Sequence, residues 1–293
     1  MDLGPLFAIL TAVTFAVPQV LVRRATYQSE ESFTALAVSM LVGTPIFVIL
    51  VSSFGEWHDF LSFTPTQYVL LAAVGLVHLI IARFLFFTST RIIGANPTAA
   101  ITRTAVIFSV IFGVVFLGES VTDLQVFAAL LIMFGAILTT TEFSRRSFRI
   151  SMRGLLMSLG CALCSAGSAT LIRPVMEVTD SIYAATFVMY LTGFIVLAVI
   201  LLASRDYRQR IIQQDSRSWS LLSIGAVFLV LGHLFRFSAL QRSPVSIVQP
   251  LIATIVLFVL LFSWIMNRRI DVFNWRIVTG IVMVLAGVVL IYL

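Results

Sequence analysis

Long apolar stretches of similar length follow one another along nearly the whole chain, and short polar segments separate them. A helix rises 1.5 Å per residue, so about 20 apolar residues cross the hydrocarbon core of a bilayer. The pattern therefore predicts ten transmembrane helices and leaves no room for a soluble domain. The stretches cover residues 3–22, 32–53, 68–90, 97–117, 122–141, 152–173, 182–203, 219–241, 245–266 and 272–293.

Composition supports a bilayer as the solvent. The chain is 60% hydrophobic and only 11% charged, whereas a soluble domain carries about 25% charged residues. All 19 basic residues are arginines. They occur singly or in short loop clusters rather than in a long basic arm, so we predict a lipid bilayer and no nucleic acid as partner.

The predicted loops divide the arginines unevenly between two faces. One face, here called the basic face, carries fourteen arginines, and the opposite face carries Arg173 and Arg242. The basic face comprises the loops near residues 23–31, 91–96, 142–153, 204–218 and 267–276. Arginine is retained on the cytoplasmic side of membranes. We therefore predict a multi-pass protein of the cell membrane with both termini outside.

Motifs for catalysis or cofactor binding are missing from the sequence. Cys161 and Cys164 form a C-x-x-C pair inside an apolar stretch, but no second pair or histidine cluster accompanies them. We interpret them as small packing residues and expect no cofactor. A membrane-embedded enzyme would need paired intramembrane aspartates or an H-E-x-x-H motif, and neither occurs. The protein is therefore not expected to be an enzyme.

A shift of 150 residues brings the two halves of the chain into register. The matched pairs are Gly4 and Gly154, Arg23 and Arg173, Gly43 and Gly193, Gly75 and Gly225, Phe87 and Phe237, Thr104 and Thr254, and, at a shift of 152, Gly135 and Gly287. They predict two five-helix domains, 1–145 and 151–293. Because five is odd, the second copy should enter the membrane the opposite way up, an arrangement typical of secondary transporters. Duplication without transport is the structural alternative.

Distinctive motifs stand at the ends of the third, fourth, eighth and ninth stretches. The first half has Arg91-Ile-Ile-Gly-Ala-Asn-Pro97 and Phe116-Leu-Gly-Glu119, and the second has Gln241-Arg-Ser-Pro244 and Gln249-Pro250. These motifs resemble the EamA-type transporters of the drug/metabolite transporter superfamily, over essentially the whole chain. The second copy departs from the Phe-Leu-Gly-Glu turn, with Asn267-Arg-Arg269 in its place.

The resemblance implies an all-α integral membrane fold of two inverted five-helix repeats. It also implies a central cavity lined mainly by the first, third and fourth helices of each repeat. The family moves amino acids, sugars, nucleotide precursors and drugs, so the resemblance implies no single substrate.

Ionisable residues inside the stretches are candidate binding residues, because a charge at the bilayer centre costs at least about 2.5–3.5 kcal/mol. His78 lies at the middle of the third stretch, with Arg83 nearer the basic face, and Arg103 lies at a similar depth in the fourth. His233 and Arg236 lie toward the opposite face in the eighth. The alternatives are snorkelling of Arg236 to the interface, carbonyl contacts for the other arginines, and packing roles for the histidines.

No Asp or Glu falls in the central part of any stretch. The buried arginines therefore require backbone carbonyls, water or an anionic ligand. The absence also argues against an antiporter that needs a buried carboxylate. Further polar candidates are Gln19 beside Pro18, Ser165 and Ser168 in the matching part of the sixth stretch, Gln249 beside Pro250, and Thr104 and Thr254, which we expect to bond their own helices.

The sequence thus predicts a secondary transporter of a small polar organic metabolite, anionic or zwitterionic, such as an amino acid or related compound. Alternating access is the expected mechanism, and Arg83 is predicted to be the most important binding residue. An exporter of lipophilic drug-like compounds and a non-transporting structural protein are the alternatives. The pattern is compatible with a monomer.

Overall fold

A computed structural model describes residues 3–25, 32–140, 151–266 and 275–291, and the regular secondary structure in these ranges is helical. The α-helices are α1 (Gly4–Ala25), α2 (Ser32–Phe54), α3 (Pro65–Val74), α4 (Ala82–Ile93), α5 (Ala95–Thr102), α6 (Ala105–Leu117), α7 (Asp123–Thr140), α8 (Met152–Val178), α9 (Ile182–Ala203), α10 (Arg205–Ile212), α11 (Ser216–Arg242), α12 (Val245–Ala253), α13 (Ile255–Met266) and α14 (Trp275–Leu290). Within these ranges, eight helical stretches are long and apolar enough to cross a membrane, and two apolar helices are shorter, Asp123–Thr139 and Trp275–Leu290.

The predicted stretches coincide with this helix order, with ends that differ by a few residues. The third begins earlier, at Pro65, because Thr64 and Gln67 form a reciprocal capping box. The eighth begins at Ser216 because the Asp215 carboxylate accepts backbone N–H groups of the first turn, which have no partner within the helix. The segment 204–218, predicted as a loop, contains α10. Five arginines of the basic face lie outside the described residues, namely Arg145, Arg146, Arg149, Arg268 and Arg269.

Three stretches are interrupted near their centres. A π-helical segment, Gly75–Ile81, joins α3 to α4 and contains His78. Arg103 and Thr104 separate α5 from α6, and Thr254 separates α12 from α13. The two threonines occupy matching positions under the shift of 150, so the breaks occur at the same place in each half.

Both breaks have the same hydrogen-bond pattern. Thr104 Oγ1 donates to the Ile101 carbonyl and Thr254 Oγ1 to the Leu251 carbonyl, each at 2.7 Å. The backbone N–H of each threonine bonds the same carbonyl, which tightens the turn. The expectation that both threonines bond their own helices is therefore confirmed.

Glycines permit the closest helix crossings. A Cβ atom at Gly193 of α9 would lie 2.9 Å from Met40 Sδ of α2, and one at Gly43 of α2 would press on the Tyr190 ring of α9. Gly135 of α7 and Gly280 of α14 face each other, and a Cβ on either would lie 2.7 Å from the other's carbonyl oxygen. A larger residue at Gly135 or Gly280 must push two helices apart, because the close atom is backbone, whereas one at Gly43 or Gly193 must displace neighbouring side chains.

Helix contacts occur in reciprocal pairs. The extensive contact of α1 with α11 matches that of α3 and α4 with α8, and α6 against α8 matches α13 against α1. Contacts between α2 and α9 and between α7 and α14 join matching helices of the two halves, and the contact of α6 with α12 joins the matching fourth and ninth stretches. Equivalent contacts thus occur in both halves.

Candidate functional site

A cavity of about 200 Å³ lies beside both helix breaks. Its lining residues are Phe86, Thr102, Arg103, Ala105, Val106, Cys161, Ser165, Gln249, Ile252 and Ala253. Under the shift of 150, Thr102 matches Ile252 and Arg103 matches Ala253. Both members of two matched pairs therefore line one cavity, which places it where the halves meet.

Two hydrogen-bond donors in the cavity wall have no partner. Arg103 Nε and Gln249 Nε2 are buried, and neither has a hydrogen-bond partner within the described ranges. An unsatisfied buried polar group costs about 1–3 kcal/mol, and more when it is charged. Because guanidinium remains protonated in proteins, Arg103 brings a fixed positive charge to the cavity wall.

A separate polar network lies beside this cavity and joins three helical stretches. Arg236 Nη2 donates to Ser168 Oγ at 3.0 Å, and Arg236 Nη1 lies 3.2 Å from His78 Nε2. Guanidinium has no acceptor, so Nε2 must accept. His78 Nδ1 can then donate to Ser168 Oγ at 3.1 Å, which itself donates to the Ser165 carbonyl. The network therefore holds a neutral His78 and buries Arg236 rather than letting it snorkel.

His233 occupies a second, largely apolar setting. Its Nδ1 lies 2.8 Å from the Leu229 carbonyl, so it carries a proton and donates there; Tyr190 Oη lies 3.0 Å from the same nitrogen. Its Nε2 is buried without a partner in the described structure. The ring meets Phe15 and His78 edge-on.

Arg83 is half-buried and lies within electrostatic range of His78, His233, Tyr190 and Cys161. It is not one of the cavity-lining residues, although Cys161, which lines the cavity, interacts with both Arg83 and Arg103. Among the described residues, none of Arg83, Arg103 and Arg236 forms an ion pair.

Polar contacts close the helix ends on the opposite face. Glu119 accepts the N–H groups of Val245 and Ser246 at 2.6 and 2.9 Å and so caps α12 from the other half. Gly118 takes a left-handed conformation, with φ of 66°, that turns the chain back at the end of α6. Gly113 then leaves space for the Glu119 carboxylate, because a Cβ there would overlap it.

The loop after α2, which lies on the opposite face, caps a second helix there. Glu56 accepts the Ala184 N–H at 2.8 Å and Asp59 accepts the Ser181 hydroxyl at 2.6 Å, both at the start of α9. Burial raises the pKa of Glu56 and Asp59 adds to the rise, while the hydrogen bond from Ala184 opposes it. Gln241 Nε2 donates to the Thr179 carbonyl at 2.9 Å on the same face.

The sequence-derived candidates thus fall into separate groups. Arg103, Ser165 and Gln249 line the cavity. His78, Ser168 and Arg236 form the network, while Gln19 is exposed and is not part of the cavity wall. Sequence reasoning missed the other seven lining residues, namely Phe86, Thr102, Ala105, Val106, Cys161, Ile252 and Ala253. The match of Thr102 with Ile252 under the repeat shift was the one signal that could have found two of them.

The lining comes from four of the six helical stretches that the resemblance implied, the third, fourth, sixth and ninth. No group of three or more His, Cys, Asp or Glu side chains that could hold a metal ion occurs among the described residues.

The apolar helices, the paired helix breaks and the cavity define a multi-pass α-helical membrane protein. The model of the EamA-like transporter family matches residues 2–141 and 152–293. The chain therefore belongs to the EamA-like transporter family, and the resemblance inferred from the motifs is confirmed.

Comparisons with individual proteins add information on the fold alone. No curated protein matches the chain significantly. Among the solved structures, 29 chains match. One, described as "Crystal structure of protein", is 14% identical with a TM-score of 0.78 and covers 98% of this chain and 94% of that chain. At this identity the likeness shows a shared fold over nearly the whole length.

Proposed function

We propose that the protein is a secondary transporter that moves a small polar organic solute, anionic or zwitterionic, across the cell membrane by alternating access. The observation that carries the proposal is the Arg103 guanidinium, which forms no ion pair among the described residues, in the wall of a cavity where the two halves meet and which Gln249 also lines. Arginine donors suit carboxylate and phosphate groups.

Two inverted five-helix repeats provide the mechanical basis of the proposal. The proposal takes the eight long and the two shorter apolar helices together as ten spans, and the reciprocal helix contacts support a pseudo-two-fold relation between the halves. Broken helices beside a binding site at the repeat interface are common in secondary transporters. Rocking one half against the other would expose the cavity to either side in turn.

The basic face is the proposed cytoplasmic face, with both termini outside. The contacts of Glu119, Glu56 and Gln241 close the opposite face, so this conformation corresponds to a transporter shut toward the outside. A reporter fused after Leu293 should be active outside and inactive in the cytoplasm. Cytoplasmic activity of that fusion would contradict the orientation.

Polar donors in the wall favour this function over export of lipophilic drugs. The cavity volume of about 200 Å³ also falls below the range of about 300–1,000 Å³ that drug-sized ligands occupy. A protein with a purely structural role would not need to leave Arg103 Nε and Gln249 Nε2 unfilled.

A ligand-stability screen tests the proposal. Purified protein should be heated with representative carboxylates, amino acids, amines, sugars and lipophilic compounds, because a ligand that binds only the folded state raises the unfolding temperature. Hits should then be tested for flux in liposomes. We expect stabilisation and flux for a small anionic or zwitterionic class. Flux of lipophilic cations alone, or of no solute class, would overturn the proposal.

A further inference from the structure

We propose that the cavity selects a small monoanion with an apolar tail, namely a carboxylate that lacks an α-ammonium group. This inference rests on the proposed transport function and narrows its substrate class. It follows from a chemical difference between the two halves at positions that the internal repeat makes equivalent.

The two halves contribute different chemistry to the cavity lining. The first half contributes Thr102 and Arg103 at its helix break, whereas the second half contributes Ile252 and Ala253 at the same positions of its own break. A symmetric dianion would need a second cation at Ala253. The difference therefore favours a solute whose charge is confined to one end.

The polar part of the lining is suited to one carboxylate. Arg103 and Gln249 both line the cavity, and Arg103 Nε and Gln249 Nε2 have no hydrogen-bond partner in the described structure. A carboxylate would balance the guanidinium charge, and its two oxygens can accept from guanidinium and amide donors. Thr102 Oγ1 donates to the Ala99 carbonyl at 2.9 Å, which leaves only its lone pairs toward a ligand.

An ammonium group is disfavoured in the same cavity. None of the lining residues is acidic, and Arg103 forms no ion pair within the described ranges. Glu119 cannot serve readily because both of its oxygens accept backbone N–H groups of α12. An ammonium beside Arg103 would meet a like charge, with only the Ser165 hydroxyl and amide or carbonyl oxygens to compensate.

The apolar part of the lining can hold a short hydrocarbon tail. Phe86, Val106 and Ile252 contribute to it, from α4, α6 and α12. Burial of each methylene strengthens binding about fourfold. The volume of about 200 Å³ restricts the tail to a few carbons.

A matched series of ligands separates the contributions of head and tail. We would measure equilibrium binding to the full-length protein in nanodiscs at neutral pH for 4-methylpentanoate, its amide, leucine and 3-methylbutylamine, which share one tail. Acetate tests the head without the tail. We expect 4-methylpentanoate to bind at least about tenfold more tightly than each of the others, because a charged hydrogen bond and the buried tail both contribute.

Variants locate the binding residues. Arg103→Gln should weaken 4-methylpentanoate binding at least about tenfold and leave binding of the neutral amide nearly unchanged. Ile252→Thr should weaken 4-methylpentanoate and the amide to a similar extent. Arg91→Gln is the matched control, because Arg91 is exposed at the end of α4 and does not line the cavity. It should bind all the probes as the unmodified protein does.

The outcomes distinguish this inference from the proposed function. Leucine binding as tight as that of 4-methylpentanoate, and equally sensitive to Arg103→Gln, would overturn the substrate class while supporting transport. Equal losses in the Arg103→Gln and Arg91→Gln variants would overturn the site. A failure of all five probes, with another class bound and transported, would overturn only this inference. Absence of flux for every class would overturn the proposed function as well.

Discussion

Replacing Glu119 with glutamine should weaken the contact between the two halves of the protein. The carboxylate lies at the end of the first repeat and accepts two N–H groups at the start of α12, at 2.6 and 2.9 Å. These bonds join the repeats and satisfy donors at a helix N-terminus, where negative charge is also favourable. Glutamine keeps one acceptor but presents an NH2 group to the second N–H.

The magnitude follows from these contacts. A hydrogen bond to a charged group contributes about 1.5–3 kcal/mol, and the charge at the helix terminus about 0.3–1 kcal/mol more. Glu119 is half-buried, so solvent screens part of this. We therefore expect Glu119→Gln to lower the free energy of unfolding by about 2 kcal/mol.

Glu177→Gln is the matched control. Glu177 pairs with Arg173 at 2.7 Å on the same face, but its side chain is 49% exposed, and this pair spans one helical turn. Such pairs contribute about 0.3–0.5 kcal/mol. Equilibrium unfolding in mixtures of a mild detergent and sodium dodecyl sulfate should separate the two variants. Equal, small losses in both would refute the capping role of Glu119.

Three further predictions concern binding, pH and packing. Arg103→Gln should reduce solute binding more than Arg83→Gln, and Arg83→Lys least, because Arg103 lines the cavity and Arg83 does not; binding measurements that rank Arg83→Gln first would restore the sequence-based choice. The raised pKa of Glu56 favours the protonated form of this side chain in the folded protein. The contribution of Glu56 to the free energy of unfolding is therefore present below its ordinary pKa of 4.5 and is lost as pH rises through its pKa in the folded state. The unfolding temperature of Glu56→Gln relative to the unmodified protein should therefore increase between about pH 4 and 7, and a flat difference would contradict this. Gly135→Val should destabilise the protein by at least about 2 kcal/mol, because its side chain would strike the Gly280 carbonyl across the helix crossing; unchanged unfolding would contradict the close approach.

The helices were predictable because membrane spans have a simple signature. Apolar runs of sufficient length define α2, α9 and most other helices without knowledge of their packing. Helix ends were less accurate where local caps decide them. The sixth stretch also continues past Arg173 to Val178, and Arg173 pairs with Glu177 across its last turn.

The interruptions could not be located from hydropathy. Arg103-Thr104 and Thr254 lie inside apolar runs. The only sequence feature that distinguishes them is the match of the two threonines under the repeat shift. The π-helical segment at His78 left no sequence signal that we recognised. These local departures reflect packing between helices, which a single sequence does not display.

The chemical types of the polar site residues were predictable from the sequence, but their grouping in space was not. The cost of burying charge identified Arg103 and Arg236, but only the fold shows that Arg236 bonds His78 and Ser168 while Arg103 faces the cavity. Apolar lining residues such as Ile252 resemble every other residue in their spans. Their position beside the break, rather than their chemistry, makes them part of the site.

Alternating access is tested most directly by the side of the membrane from which Cys161 reacts. Cys161 lines the cavity, and Cys164 is the chain's only other cysteine, so a Cys164→Ser variant isolates it. The variant would be labelled with a membrane-impermeant methanethiosulfonate in liposomes of known orientation, with the cysteine-free double variant Cys161→Ser, Cys164→Ser as the blank. We predict labelling from both sides, with a bound solute changing the two rates in opposite directions. Labelling from one side under every condition would contradict alternating access through this cavity.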